Sequence, residues 1–147
     1  MPDLELIAAT AFGLEAVVAR ELQALGYEPT IIATGRVLFR GDESAICRAN
    51  TWLRTADRVL IRMGTFPAND FDELFEGVRA LPWERWIGPD AACPMNGRSV
   101  KSQLSSVPAC QKIAKKALVE RLKAAHGVET LPETGPRVSC EVALLDN

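Results

Sequence analysis

The apolar pattern of the first 66 residues switches period again and again, and that succession limits the fold more than any single motif. LELIAAT (4–10) alternates like a strand. FGLEAVVARELQALGY then places Leu14, Val17, Val18, Leu22 and Leu25 on one helical face, with Gly26 suited to close the helix. Thr30–Ala33 and Val37–Arg40 are short strand-like runs around a Thr34-Gly35-Arg36 turn. Asp42 can cap a second helix over 43–55, with Ile46, Ala49 and Leu53 inward. RVLIRMGTF (58–66) reads as another strand.

The order β-α-β-β-α-β is the ferredoxin-like split βαβ arrangement. It hosts many functions and implies none. Pro67-Ala68-Asn69-Asp70 marks a break. Beyond it, Asp70 can cap the helix FDELFEGVRAL, Pro82 stops it, and WERWIG makes a further turn. A short strand ends near Val100, and a long helix runs from Val107 to Ala125 between Ser106 as N-cap and Gly127. In RVSCEVALL, Val138, Cys140, Val142 and Leu144 alternate with Ser139, Glu141 and Ala143 as a last strand. The expectation is an α+β chain of two subdomains, 1–66 and 67–147, the second ending on a strand that reads as cut.

No apolar run approaches the roughly 20 residues that span a bilayer, and the start has no basic segment ahead of an apolar one. No membrane and a cytoplasmic location are expected. Cys47, Cys93, Cys110 and Cys140 lie at long, irregular spacings, and His126 is the only histidine, so no metal site is expected. Buried free thiols fit better. One histidine at a helix end suits a C-terminal cap and supports no catalytic set. Glu73 and Glu76 are expected to face solvent.

Charge carries the functional signal. The chain is −2 overall, yet all five lysines lie within residues 101–123. Residues 98–123 hold seven cations against Glu120 alone, a local +6, which leaves −8 for the remainder. On a helical wheel Lys112, Lys115, Lys116 and Lys123 fall within about 100°, opposite Cys110, Ile113, Ala114, Ala117, Leu118, Leu122 and Ala125. The stripe admits a solvated face or a phosphate-binding one. Just before it, Arg98, Ser99, Lys101, Ser102, Gln103 and Ser105 supply cations, hydroxyls and an amide beside free helix N–H groups, a set able to cradle phosphates. Arg121, in the apolar arc, is expected to reach the last helix carbonyls.

Strand alternation also sends Arg36, Arg40, Arg58 and Arg62 to the sheet face opposite Val37, Phe39, Val59, Ile61 and Met63, with Glu5 among them. That secondary basic face admits a salt-bridged solvated surface, or one that docks RNA or the second subdomain. Trp52, Trp83 and Trp86 could stack on bases, but burial is expected for all three.

GRSVKSQLSSVPACQKIAKKALVERL resembles the signature segment of THUMP domains, RNA-binding modules of thiouridine synthases, RNA methyltransferases and pseudouridine synthases. ATAFGLEAVVARELQALGY and GDESAICRANTWLRTADRVLIRMGTF are similar to the ferredoxin-like region that precedes them, and FDELFEGVRALPWERWI resembles the first THUMP helices. The combination resembles the N-terminal part of bacterial 23S rRNA guanine-N2 methyltransferases. The resemblance implies a C-terminally truncated THUMP-like α/β subdomain after the ferredoxin-like one. It implies binding to large-subunit rRNA, and a partner methyltransferase domain using S-adenosylmethionine. That domain's glycine-rich loop and Pro-Pro motif are absent from this sequence, so no cofactor is expected in this chain. A thiouridine synthase module, or a protein-interaction module with no RNA, are the alternatives.

Overall fold

The computed structural model describes residues 3–100 and 106–145, with only the backbone of Ser99, Val100 and Leu145. The chain divides into two compact units, Met1–Met63 and Gly64–Asn147.

The first unit is a four-stranded antiparallel sheet with two helices. Its strands are β1 (Leu4–Thr10), β2 (Thr30–Ala33), β3 (Arg36–Gly41) and β4 (Ala56–Ile61), in the order β2-β3-β1-β4. Helices α1 (Glu15–Ala24) and α2 (Glu43–Trp52) follow β1 and β3. This is the ferredoxin-like arrangement. β1 is central, so its alternation is the sharpest: Leu6 and Ala8 are fully buried and face Val37, Phe39, Val18, Leu22, Ala45 and Ala49 in one core.

Local chemistry sets the ends. Asp42 accepts the Ala45 N–H at 3.2 Å and starts α2. α1 has no side-chain cap at Leu14; instead Glu15 accepts the N–H groups of Gly13 (2.9 Å) and Gly35 (3.1 Å). Its own backbone N–H, then that of Gly35, holds the Glu15 carboxyl below its ordinary range. Gly35 sits at φ 71°, where a Cβ would stand 2.6 Å from the Thr10 carbonyl oxygen, so the hairpin needs glycine there. Glu21 on α1 accepts from Thr55 Oγ1 at 2.9 Å and fixes the turn after α2.

Several expectations are corrected. α2 stops at Trp52 rather than 55, because Leu53 is extended. β4 ends at Ile61 rather than 66, opposite Leu6 and short of the start of β1 at Leu4, and its last bond to β1 is Arg62 N–H to the Glu5 carbonyl at 2.8 Å. Leu14 and Val17 are 37% exposed, since only Val18 and Leu22 point squarely at the sheet. Val59 and Ile61 lie opposite Ala8 and Leu6 but are half-buried, because β4 is an edge strand, and Met63, expected beside them, lies beyond the end of β4. Trp52 is 60% exposed rather than buried.

The second unit begins with helix α3 (Phe71–Arg79). Asp70 accepts the Glu73 N–H (2.7 Å) while Glu73 accepts the Asn69 N–H (2.9 Å), a reciprocal cap close to a capping box. A 3₁₀ turn, Trp83–Arg85, follows. Trp83 is buried and donates Nε1–H to the Val78 carbonyl at 2.7 Å; Trp86 is half-buried with the Arg85 guanidinium 4.8 Å from its ring centre. β5 (Met95–Val100) and β6 (Cys140–Leu145) pair in parallel, and α4 (Val107–His126) connects them. Cys110, Ala114, Ala117, Leu118 and Leu122 form the buried stripe of α4, whereas Ile113 is half-buried and Ala125, in the last turn, is exposed rather than packed. The run Val138–Leu144 pairs as expected from Cys140 onward, with an isolated bridge at Arg137. Among the described residues no helix is long and apolar enough to cross a membrane.

Candidate nucleic-acid interface

α4 carries the lysine stripe, and its apolar side fixes where the stripe points. α4 lies so close to β5 that a Cβ on Gly97 would meet Gln111 Cγ at 2.9 Å and Val107 Cγ1 at 3.3 Å. With that face pinned, the opposite side is presented outward. Lys112 and Lys116 are exposed and Lys123 half-buried. Among the described residues none of these three side chains has an ion pair or hydrogen bond. They sit within about 40° of one another around the axis and span about 16 Å along it.

Lys115 behaves differently. Its Nζ donates to the Cys93 carbonyl at 2.5 Å and to Glu133 Oε1 at 2.6 Å. The hydrogen bond from Lys115 holds the Glu133 carboxyl below its ordinary range. Glu133 has φ 53°, the only positive φ among the described non-glycine residues, so the pair fastens a strained point of the loop before β6. The acid-free stripe seen on the wheel therefore has an acid opposite one member, brought from 18 residues away.

Arg98 is also engaged, at 3.9 Å from Glu141. Gly97 faces α4, so Arg98 points to the opposite side of the β5–β6 ribbon. It does not join the α4 stripe. Lys101, Ser102, Gln103 and Ser105 lie outside the described residues, as does the side chain of Ser99. Ser106 takes the N-cap position of α4, but its hydroxyl makes no cap bond.

Two further expectations change. Arg121 does not reach the carbonyls of its own helix. It forms a two-pronged pair with Glu84, Nη2 to Oε1 at 2.7 Å and Nε to Oε2 at 3.1 Å. The hydrogen bond from Arg121 brings the Glu84 carboxyl down to about 2. His126 does not cap α4; its Nε2 lies 3.0 Å from the Ile87 carbonyl, and Gly127, at φ 66°, closes the helix. Glu76 faces solvent and pairs with Arg79 at 2.6 Å, while Arg79 also approaches Glu120 at 4.0 Å. Glu76, Arg79, Glu120, Arg121 and Lys123 line an open groove of about 730 Å³ beside α4, and of its three cations Lys123 alone has no side-chain partner among the described residues. Among the described residues no three acids, histidines or cysteines gather as a metal site.

The four arginines of the first unit do share one face. Arg36 and Arg58 flank Ala9, and Arg40 and Arg62 flank Glu5. Glu5 is bonded to Arg62 (Nε, 2.5 Å) and lies 3.5 Å from Arg40.

What sequence reading missed is the set of acids, Glu84, Glu133 and Glu141, that claim three of the seven cations. The −8 balance outside residues 98–123 was the available signal, but it does not say which acids fold back.

Comparison with known proteins agrees with this architecture. Residues 5–60 match the RlmL ferredoxin-like domain and residues 68–147 the THUMP domain. The chain is 48% identical over 147 residues to the Bacillus subtilis protein named "Putative RNA methyltransferase YpsC", covering 99% of this chain and 38% of that one. It is 31% identical over 124 residues to "Ribosomal RNA large subunit methyltransferase K/L" of Cellvibrio japonicus, covering 84% of this chain and 16% of that protein. A crystal structure from Listeria monocytogenes, described as a predicted N6-adenine-specific DNA methylase, superposes with TM-score 0.92 at 50% identity, covering 99% of this chain and 38% of that one. The chain thus spans well under half the length of these relatives. It belongs to the THUMP-domain family, as a THUMP domain preceded by a ferredoxin-like domain of the RlmL type.

Proposed function

We propose that the chain is the RNA-binding, targeting module of an S-adenosylmethionine-dependent RNA methyltransferase, directed to guanine N2 of large-subunit ribosomal RNA. The observation that carries the binding part is the strip of Lys112, Lys116 and Lys123, whose side chains are unpaired among the described residues, on the outward face of α4. Unpaired ammonium groups release phosphate counterions on binding, whereas cations already neutralised by glutamate contribute little. The strip would follow a phosphate backbone and supply affinity without base readout. RNA shape would then provide selectivity, since the deep major groove of A-form RNA is closed to side chains.

Methyl transfer is assigned to a separate domain. S-adenosylmethionine would supply its methyl group there. In this chain the connection from the parallel strand β5 to α4 contains no glycine, so it does not fit a nucleotide-type cofactor loop. The ribosomal target is supported by the name of the Cellvibrio relative, and the guanine-N2 position by the motif resemblance. The test is a titration of this chain against large-subunit rRNA fragments, transfer RNA and duplex DNA of equal length at low salt. Tightest binding to the ribosomal fragments supports the reading. Preference for transfer RNA would favour a thiouridine synthase parent, and no binding to any of them a protein-interaction role.

A further inference from the structure

The open face of the first unit's sheet has an order of its own. Reading across β3, β1 and β4, three rows stand side by side: Arg36–Ala9–Arg58, then Leu38–Ile7–Leu60, then Arg40–Glu5–Arg62. The first two rows follow from the registered pairs. The third follows from Glu5 opposite Arg40 and from the Arg62 N–H on the Glu5 carbonyl. Two arginine rows therefore bracket one aliphatic row. At sheet spacing, the arginines of a row are about 10 Å apart and the two rows about 13 Å apart. α1 and α2 cover the other face, where Leu6, Ala8, Val37 and Phe39 are buried. On the open face Ile7, Leu38 and Leu60 remain half-exposed, and Arg40 keeps 67% of its side-chain exposure. Glu5 is the single acid of the nine, so the face is +3. Arg58 is exposed and has no pair among the described residues.

We infer that this three-by-three face is a second nucleic-acid contact, one that takes an unpaired stretch of RNA. The inference rests on the RNA-binding reading above and adds a second surface on a different unit. A +3 field with one acid fits a polyanion. The aliphatic row separates an unpaired strand from a duplex: exposed bases can lie on Ile7, Leu38 and Leu60 while guanidinium planes stack beside them and meet phosphates. A duplex hides its bases and would leave that row uncovered. Arginine suits this task because its planar head both stacks and forms paired hydrogen bonds to phosphate.

The experiment compares the chain with its Arg40→Ala/Arg58→Ala variant, both residues being exposed. The probes are a 12-nucleotide oligouridine and a blunt 12-base-pair RNA duplex. Circular dichroism and a thermal melt establish that each variant is folded. The double variant is expected to bind oligouridine about fivefold to tenfold more weakly, with the log K against log salt slope flatter by about 0.7 to 1.4: roughly 0.7 for Arg58 and at most as much again for Arg40, which shares Glu5 with Arg62. Duplex binding should change by less than about threefold. Arg40→Lys/Arg58→Lys should keep the slope but recover only part of the affinity, because lysine keeps charge without a stacking plane. An unchanged oligouridine affinity and slope in a folded double variant overturns the inference. Equal weakening for both probes overturns the assignment to unpaired RNA. Polyglutamate displacing oligouridine at equal charge concentration assigns the face to acidic protein instead. The RNA reading itself fails separately: that shows as wild-type chain binding neither probe, or as Lys112→Ala/Lys116→Ala/Lys123→Ala leaving duplex binding intact.

Discussion

Lys115 Nζ donates to Glu133 Oε1 at 2.6 Å and to the Cys93 carbonyl at 2.5 Å, so one lysine of the four on the α4 stripe holds a loop to the strand entering β5. The same side chain cannot hold a phosphate without releasing both. The stripe therefore divides into a structural lysine and three whose side chains have no partner among the described residues.

Lys115→Ala should lower stability by about 1 kcal/mol. A hydrogen bond to a charged group contributes about 1.5–3 kcal/mol, and partial exposure of both partners reduces the ion-pair share. Urea unfolding monitored by tryptophan fluorescence measures this. Glu133→Gln should cost less, because the amide oxygen still accepts from the ammonium. Equal stability of Lys115→Ala and the parent chain would show the latch to be idle.

Acid should weaken the α4 unit through Glu84. Arg121 brings its carboxyl down from the usual 4.5 to about 2. A carboxyl depressed on folding stabilises the native state above its unfolded value, and that contribution fades as pH falls through the folded one. Loss is thus expected between about pH 4.5 and 2. Glu84→Gln should flatten stability against pH in that window. Carboxyl titration by NMR should place the Glu84 midpoint near 2; a midpoint near 4.5 would remove the pair from solution.

One thiol should react quickly and three slowly. Cys47 is exposed, against the expectation of four buried thiols, because it lies on the outer side of α2. Cys93, Cys110 and Cys140 are buried, and burial pushes the Cys140 thiol up to about 11. Thiolate is the reactive form, so a maleimide count at neutral pH should reach one per chain before unfolding and four after. More than one rapid equivalent would contradict the packing around β5 and β6.

Periodicity recorded in the sequence much of what depends on a residue's own element. The buried stripe of α4, the strand order of the first unit and the shared face of its four arginines follow from spacings of 3.6 and 2 together with one known topology. Pairings between elements were not recorded there. Glu84 reaches Arg121 across 37 residues and Glu133 reaches Lys115 across 18, and neither distance has a local signature. Arg98 shows the same limit. Its closeness in sequence to α4 suggested a shared cradle, but strand alternation turns it away from the helix, and only the position of Gly97 against Gln111 reveals which side is which. Trp52 was expected inside on size alone, yet alanines at 45 and 49 supply the face of α2 that meets the sheet.

The central claim is that α4 binds RNA through Lys112, Lys116 and Lys123 and not through Lys115. The most direct measurement is the salt dependence of binding to a blunt RNA duplex for the parent chain, Lys115→Ala, and Lys112→Ala/Lys116→Ala/Lys123→Ala, each verified as folded. The account predicts that the triple variant flattens the log K against log salt slope by about 2 to 3, at roughly 0.7 to 0.9 per phosphate contact. Lys115→Ala should leave the slope within about 0.3 of the parent value, despite removing the same charge from the same helix. A triple variant with the parent's affinity and slope, or a Lys115→Ala slope as flat as one lost contact requires, would contradict the account.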